Sequence, residues 1–440
     1  MKVSAHIQLA NGEELLAGSL ESLEPRIGSF LIEFRYDSEF LRNPLAYPLS
    51  PDLPLDSGPH ISSVERTMPA AFSDAQPDMW GRRLLEAHAR SDAKEAGRHH
   101  RKLSEMEVLL AVPDLTRQGA LRIADASGFL SARRESVSTV LDLPNLIEAA
   151  QAFEAGDEIT EEMERLFAAG TSMGGARPKA TVRTASGGLA IAKLPRAEGD
   201  FGDAMAWEAT ALELARLSGM RVENFKLHRT RDNSVLVVER FDRRGSQRIG
   251  YLSADSLLLK QRTELVDYAK LADVALPQSS SPRADGEELF RRVAFTLMIN
   301  NIDDHMKNHG FVRETSGWRL SPAFDVNPHY RHGGTDATPI NDQDDPSARD
   351  IRNLVASSER FGVLEADGIR IIKQVEASTR NWREIAATFG IEPEGAHAMR
   401  GAFDNPNREL ALRLPTPDES DRVPVRTPVR RLTGNDRPSG

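Results

Sequence analysis

The chain has 440 residues, 40% of them hydrophobic and 28% charged, which suits a mostly globular protein too long for one simple core. A formal net charge of -10 with a pI near 5.7 argues against nucleic-acid binding over the whole surface, though not against a local basic patch. The lack of any cysteine excludes disulfides, thiolate metal sites and a cysteine nucleophile. No apolar run approaches the roughly 18 residues of a membrane span, and Met1-Lys2-Val3-Ser4-Ala5-His6 lacks the apolar core of a signal peptide. The expectation is a soluble cytoplasmic protein that engages no membrane.

The first segment reads as β-rich. Ser4–Leu9, Glu14–Leu20 and Ser29–Tyr36 are short β-prone runs split by Asn11-Gly12 and Pro25. The proline-rich stretch from Asn43 to Pro59 is irregular or extended. Pro77-Asp78-Met79-Trp80-Gly81-Arg82-Arg83-Leu84-Leu85 opens a helical pattern, and Gln118–Ile123 reads as a short strand. The polar stretch Ser131–Ser138 sets a boundary near residue 140.

Beyond it the helices lengthen. Pro144–Phe153 and Thr160–Ala168 read as helical, followed by the glycine-rich turn Gly170-Thr171-Ser172-Met173-Gly174-Gly175. Lys179–Arg183 and Leu189–Leu194 form a hairpin around Ser186-Gly187-Gly188. Ala204–Leu217 is a helix with Trp207, Ala211, Leu214 and Leu217 on one face, and Ser234–Arg240 is an apolar strand with Val235, Val237 and Glu239 on one face. In Glu287–Ile299 the residues Phe290, Val293, Ala294, Leu297 and Met298 recur every three or four positions, which predicts another helix. The tail from Pro415 to Gly440 has almost no large apolar residues and reads as disordered; Arg422, Arg426, Arg430 and Arg431 there either meet an anionic partner or are simply solvated.

The chemistry gathers in Asn301-Ile302-Asp303-Asp304-His305-Met306-Lys307-Asn308. Asp303 and Asn308 have four residues between them, the spacing of a protein-kinase catalytic loop, where the Asp takes the proton of the attacking hydroxyl and the Asn holds magnesium. Asp304 competes for the role of base, but only Asp303 has that spacing. Asp325, in Ser321-Pro322-Ala323-Phe324-Asp325-Val326, stands where a kinase has its second metal ligand, and two hard oxygens suit Mg²⁺. Lys307 is a candidate to neutralise charge on the transferred group, and His305 to support the loop by hydrogen bonding.

Upstream, Lys193 in the apolar run Leu189–Leu194 must either snorkel out or find an anionic partner, such as an ATP phosphate, and Glu208 is the nearest candidate to orient it unless that carboxylate faces solvent. Gly174 and Gly175 would let backbone N–H groups approach phosphate, with Lys179 beside them, although taken alone the glycines are better explained by an ordinary hairpin or loop turn, and no G-x4-G-K-[ST] motif is present. Val238, Glu239 and Phe241 fall where a connector between lobes would hold adenine, or simply at a strand end with surface charges. His305 and His309, with His329 and His332 downstream, have a spacing like that of zinc ligands, but Gly310 and the absence of H-E-x-x-H argue against zinc.

In this order the motifs resemble the HipA family, serine/threonine kinases that act as toxins in bacterial toxin–antitoxin pairs. Phe40-Leu41, Asn43–Ser50, Phe72–Gly81 and Gln118–Leu121 are similar to the family's N-terminal subdomain. Thr171–Lys179 resembles its glycine-rich loop, Val238–Arg243 its connector, and Asn301–Asn308 and Ser321–Val326 its catalytic and metal segments.

The resemblance implies an α+β fold with a small β-rich N-terminal subdomain over 1–140. A two-lobed protein-kinase-like domain with a mostly helical C-terminal lobe would follow over 141–414, and then a tail, 415–440. It implies Asp303 as base, Asn308 and Asp325 as Mg²⁺ ligands, Lys193 on the ATP phosphates, Glu239 and its neighbours at adenine, and Ser172 as an autophosphorylated serine. It further implies a protein substrate in translation, such as an aminoacyl-tRNA synthetase. A helix-turn-helix antitoxin of HipB type would be the partner, with the complex on operator DNA. Arg177-Pro178 and Asp304 depart from relatives, and Asp304 would burden the centre unless paired. A small-molecule kinase of the same fold and an inactive corepressor or scaffold are the alternatives.

Overall fold

The computed structural model describes residues 1–23, 31–129, 137–156, 170, 175–231, 233–261, 264–331 and 337–417. The helix expected over 160–168, Ser172, Gly174, His332 and most of the tail lie outside these residues.

The N-terminal part is a six-stranded sheet. In it β1 (Lys2–Gln8), β2 (Glu14–Leu23), β3 (Leu31–Tyr36), β4 (His60–Ile61), β5 (Leu121–Asp125) and β6 (Gly128–Phe129) run in the order β4-β3-β2-β1-β5-β6. Val3, Ala5 and Ile7 of β1 and Ile32, Phe34 and Tyr36 of β3 are buried, the period of two expected when one face packs on a core. A Cβ on Gly18 would lie 2.1 Å from Arg35 O, so β2 needs glycine to approach β3 there. The proline-rich stretch is irregular yet tied down: Tyr36 Oη donates to Leu53 O at 2.7 Å and accepts from Leu49 N at 3.0 Å. Helix α1 (Met79–Glu95) then leaves this sheet for the next unit.

That unit is a four-stranded antiparallel sheet, β7 (Lys179–Arg183), β8 (Leu189–Lys193), β9 (Phe225–Arg229) and β10 (Ser234–Glu239), in the order β7-β8-β10-β9. Alternation along β10 splits its side chains. Val235 and Val237 join Trp80 and Leu84 of α1 and Leu146 and Ile147 of α2 (Leu143–Ala155), whereas Leu236 faces the main core with α3 (Ala204–Leu217). Helix α3 spans the residues its apolar face predicted, and Asp203 caps it by accepting from Ala206 N at 2.9 Å.

The larger, mostly helical lobe is built on α4 (Pro282–Met298), with Phe290, Val293, Ala294, Phe295, Leu297 and Met298 buried and α5 (Glu365–Thr379) packed along it. This helix starts five residues before the expected Glu287, with Pro282 in its first turn. Its early turns are charged but buried. Arg292 pairs with Glu288 at 2.9 Å, and Asp285 accepts from Arg319 Nε at 3.0 Å, so these turns carry no apolar periodicity to read. β11 (Tyr251–Ser253), β12 (Gly310–Arg313) and β13 (Trp318–Leu320) form a small antiparallel sheet. No helix among the described residues is long and apolar enough to cross a membrane.

Candidate active site

The chain leaves α4 through Asn300, whose φ of 50° turns it sharply, into the segment 301–308. Asn301 Oδ1 accepts from Asp303 N at 3.3 Å, and Arg349 donates to Asn301 O at 2.8 Å, which shapes the first half. The second half is a 3₁₀ turn, Met306–Asn308, closed by Asn308 N on His305 O at 2.8 Å.

The two adjacent aspartates part company here. Asp304 is buried and accepts from the Tyr268 hydroxyl at 2.6 Å, from Thr296 Oγ1 at 3.0 Å and, as a donor in one ring tautomer, from His309 Nε2 at 3.2 Å. Burial pushes its carboxyl up, but His309 and these donors outweigh that and hold it well below the carboxylate range. Its charge is therefore spent beneath the loop. His309 supplies the ring contact expected of His305, whose own support comes from its carbonyl.

Asp303 is exposed above it. Partial loss of water raises its carboxyl pKa, and the negative Asp325 and Asp304 add to this, while His305 and Arg177 oppose it. Asn308 Nδ2 donates to Asp303 O at 3.0 Å, which leaves its Oδ1 pointed away from that bond and without a donor among the described residues.

Lys193 ends β8, paired to β10 through Leu236, and its Nζ lies 2.5 Å from Glu208 Oε1 and 2.7 Å from Asp325 Oδ1. Glu208 does not face solvent: it is 1% exposed in the middle of α3, and its Oε2 has no hydrogen-bond partner. Burial pushes the Lys193 ammonium down, but the two carboxylates outweigh it and keep the lysine charged well above its ordinary range. Burial likewise pushes Asp325 up, and Lys193 and Lys179 reverse that, so it stays ionised. Asp325 sits in the left-handed region at φ 57°, costly for an aspartate and compatible with a functional constraint. Lys179 is also buried, its ammonium makes no hydrogen bond or ion pair among the described residues, and it is pushed below its usual pKa mainly by loss of water.

The fold thus brings Lys179, Lys193, Glu208, Asp303, Asn308 and Asp325 to one cleft, with Gly175 beside Lys179: a Cβ there would lie 2.4 Å from Lys179 Nζ. Lys307 is turned to Asp78, 3.0 Å away. Arg177 pairs with Asp200 at 2.5 Å. The oxygens of Asn308 and Asp325 are hard donors that fit Mg²⁺, and the carboxylate is already ionised to receive it.

The connector does follow the end of β10, but Arg240 and Asp242 in it are not surface charges. Arg240 and Asp242 are buried and joined at 2.8 and 2.6 Å; Arg240 also donates to Thr116 O at 2.7 Å, and Asp242 accepts from Gly119 N at 2.8 Å. These contacts tie the connector to the loop that leads into β5 of the N-terminal unit. The backbone N–H groups of Glu239 and Arg240 are already used on Asn224 O and Leu189 O, so a base held here must find other groups. Val238 pairs with Ile191 and Phe225 inside the sheet, and Phe241 lies 5.6 Å from Phe324, joining the connector to the Asp325 segment.

Two residues that the sequence reading placed at a helix start, with no role in the site, also reach it: Asp78 and Trp80, at the beginning of α1. The only signal was a tryptophan and an acid at a helix start.

Residues 12–122 match the family model of the HipA N-terminal domain, and residues 171–382 match that of the HipA-like C-terminal domain. Among solved structures, the chain is similar to a chain of the toxin–antitoxin complex of HipA, HipB and its operator DNA from Shewanella oneidensis MR-1. The TM-score is 0.61 at 16% identity, over 93% of this chain and 97% of that one. It also matches the proinflammatory kinase CtkA of Helicobacter pylori, with a TM-score of 0.37 at 14% identity, over 55% of this chain and 94% of that one. No curated protein matches it. The first likeness carries the fold, α+β with a kinase-like two-lobed part behind a β-rich N-terminal unit.

Proposed function

Since the chain belongs to the HipA family, we propose that it is an ATP- and Mg²⁺-dependent serine/threonine protein kinase and the toxin of a type II toxin–antitoxin pair. The observation that carries this reading is Lys193 held between Glu208 and Asp325, the lysine–glutamate pair and metal-binding aspartate of an assembled kinase site. An inactive scaffold has no need to keep a buried lysine and glutamate joined to an aspartate in the left-handed region.

In this reading Lys193 and Lys179 bind the ATP phosphates, Gly174 and Gly175 line them, and Val238, Glu239 and Phe241 border the adenine. Asn308 and Asp325 would hold Mg²⁺, which neutralises phosphate charge when bound. Asp303 accepts the proton of the acceptor hydroxyl, its raised pKa making it a better base than an ordinary aspartate. Lys307 serves the transferred group. The catalytic domain is taken as 141–414 behind the subdomain 1–140, with 415–440 as a tail.

The acceptor is a protein of the translation machinery, such as an aminoacyl-tRNA synthetase, and Ser172 is the self-phosphorylated residue. A phosphate there would add about -1.5 to -2 of charge beside the nucleotide phosphates and switch the enzyme off. The partner is a HipB-type antitoxin, through which the complex meets operator DNA, in the cytoplasm; the Shewanella complex supports this assignment.

The test is intact and peptide mass spectrometry of purified protein incubated with Mg-ATP, with Asp303→Asn as control. One added phosphate on Ser172, absent from the control, is expected. No phosphate together with no ATP binding would sink the reading in favour of a scaffold.

A further inference from the structure

Trp80 touches the glycine-rich segment twice. Its backbone N–H donates to Gly175 O at 3.0 Å, and its indole Nε1–H donates to Lys179 O at 3.1 Å. The side chain is fully buried, with the Phe153 ring edge-on 5.4 Å away, so these donors cannot drift. Gly170 rests on the same helix: a Cβ there would lie 2.8 Å from Leu84 Cδ1, 3.0 Å from Lys179 O and 3.3 Å from Trp80 Nε1.

Asp78 stands at the N-cap of α1 yet makes no side-chain capping bond. Its carboxylate instead takes Lys307 Nζ at 3.0 Å, and its charge also acts on the buried Lys179 ammonium. An aspartate in this position normally stabilises its own helix. Here that role is given up for a lysine 229 residues away in the loop that carries Asp303 and Asn308. The first turn of α1 thereby grips the glycine-rich segment of one lobe and the Asp303 loop of the other.

On the kinase reading, we propose that Asp78 and Trp80 are positioning residues for phosphoryl transfer, acting from the start of the helix that links the β-rich unit to the four-stranded sheet. Trp80 sets Gly175 and Lys179 against the nucleotide phosphates, and Asp78 orients Lys307. The β-rich unit is then a working part of the kinase, because the helix it sends out fixes groups on both sides of the cleft.

The experiment measures KM for ATP, kcat and thermal midpoint for the full chain, Trp80→Phe, Asp78→Asn, Lys307→Ala and the Asp78→Asn/Lys307→Ala double variant. Trp382→Phe, a change to an equally buried tryptophan in the larger lobe, controls for lost stability. Trp80→Phe should raise KM for ATP about tenfold and change kcat less than about threefold, while Trp382→Phe moves only the thermal midpoint. Asp78→Asn should lower kcat about tenfold and add nothing once Lys307 is alanine. Should Trp80→Phe fail to fold, the Asp78 cycle decides, because its ion pair is partly exposed and its loss leaves the core intact. Equal KM for both tryptophan variants, or independent effects of Asp78→Asn and Lys307→Ala, overturns the proposal while the enzyme stays active. Wild-type protein that neither binds Mg-ATP nor transfers phosphate overturns the kinase reading, and this inference with it.

Discussion

The Tyr268 hydroxyl and Asp304 Oδ2 lie 2.6 Å apart across 36 residues of chain, and this bond, with those from Thr296 and His309, turns the second of two adjacent aspartates under the loop. Asp303 and Asp304 should therefore respond to the same substitution in opposite ways. Asp303→Asn is expected to lower kcat by about 10²- to 10⁴-fold with folding stability within about 0.5 kcal/mol of wild type. Asp304→Asn strands part of a buried network and should cost about 1–3 kcal/mol in urea unfolding, with a milder kinetic effect. Comparable stability loss in both variants would refute this division.

Lys193 neutralises two carboxylates, so its removal leaves charge buried without a partner. Lys193→Met should destabilise the chain by about 3–5 kcal/mol and abolish ATP binding. Adding Glu208→Gln should recover part of that stability and none of the binding. Urea unfolding and calorimetric titration with Mg-ATP separate the two effects.

Arg240 and Asp242 form a buried pair in the connector that is anchored to Thr116 and Gly119, in the loop leading into β5 of the N-terminal unit. Burial pushes the Asp242 carboxyl up, but Arg240 and Arg243 outweigh it and hold it ionised, so Arg240→Ala would leave a charge with too few partners. A loss of about 3–5 kcal/mol is expected. Limited proteolysis should then show earlier cleavage around Thr116 and Arg117, whose carbonyls lose Arg240 as a donor.

Asp74 gives the stability a pH dependence of defined sign. Burial pushes its carboxyl up to about 6, although Ser253 N and Oγ donate to it at 2.6 and 2.8 Å. The folded chain then holds this proton more tightly than the unfolded chain does, so the contribution to stability is full below about pH 4 and is lost as pH rises through about 6. Relative to Asp74→Asn, wild type should gain about 1 kcal/mol between pH 7 and pH 5. Urea midpoints at the two pH values check this, and a constant difference would remove Asp74 from the account.

Local pattern carried much of the architecture. Period two marked β1 and β3, period 3.6 marked α3, and Gly187-Gly188 marked the β7–β8 hairpin, because each depends on neighbours a few residues away. The start of α4 was hidden because Asp285, Glu288 and Arg292 are buried as ion pairs, which hydrophobic periodicity reads as outward-facing. The same blindness made Arg240 and Asp242 look like surface charges.

By itself the sequence determined the residue types of the cleft and the order in which they occur, from Lys179 and Lys193 to Asp303, Asn308 and Asp325. Only the tertiary structure decided which partner each charge takes: Lys193 with Asp325 across 132 residues, Lys307 with Asp78 across 229, and Asp304 turned inward while Asp303 faces out. Such pairings follow from where burial makes an uncompensated charge too costly, and burial is a property of the packed chain that no local spacing encodes.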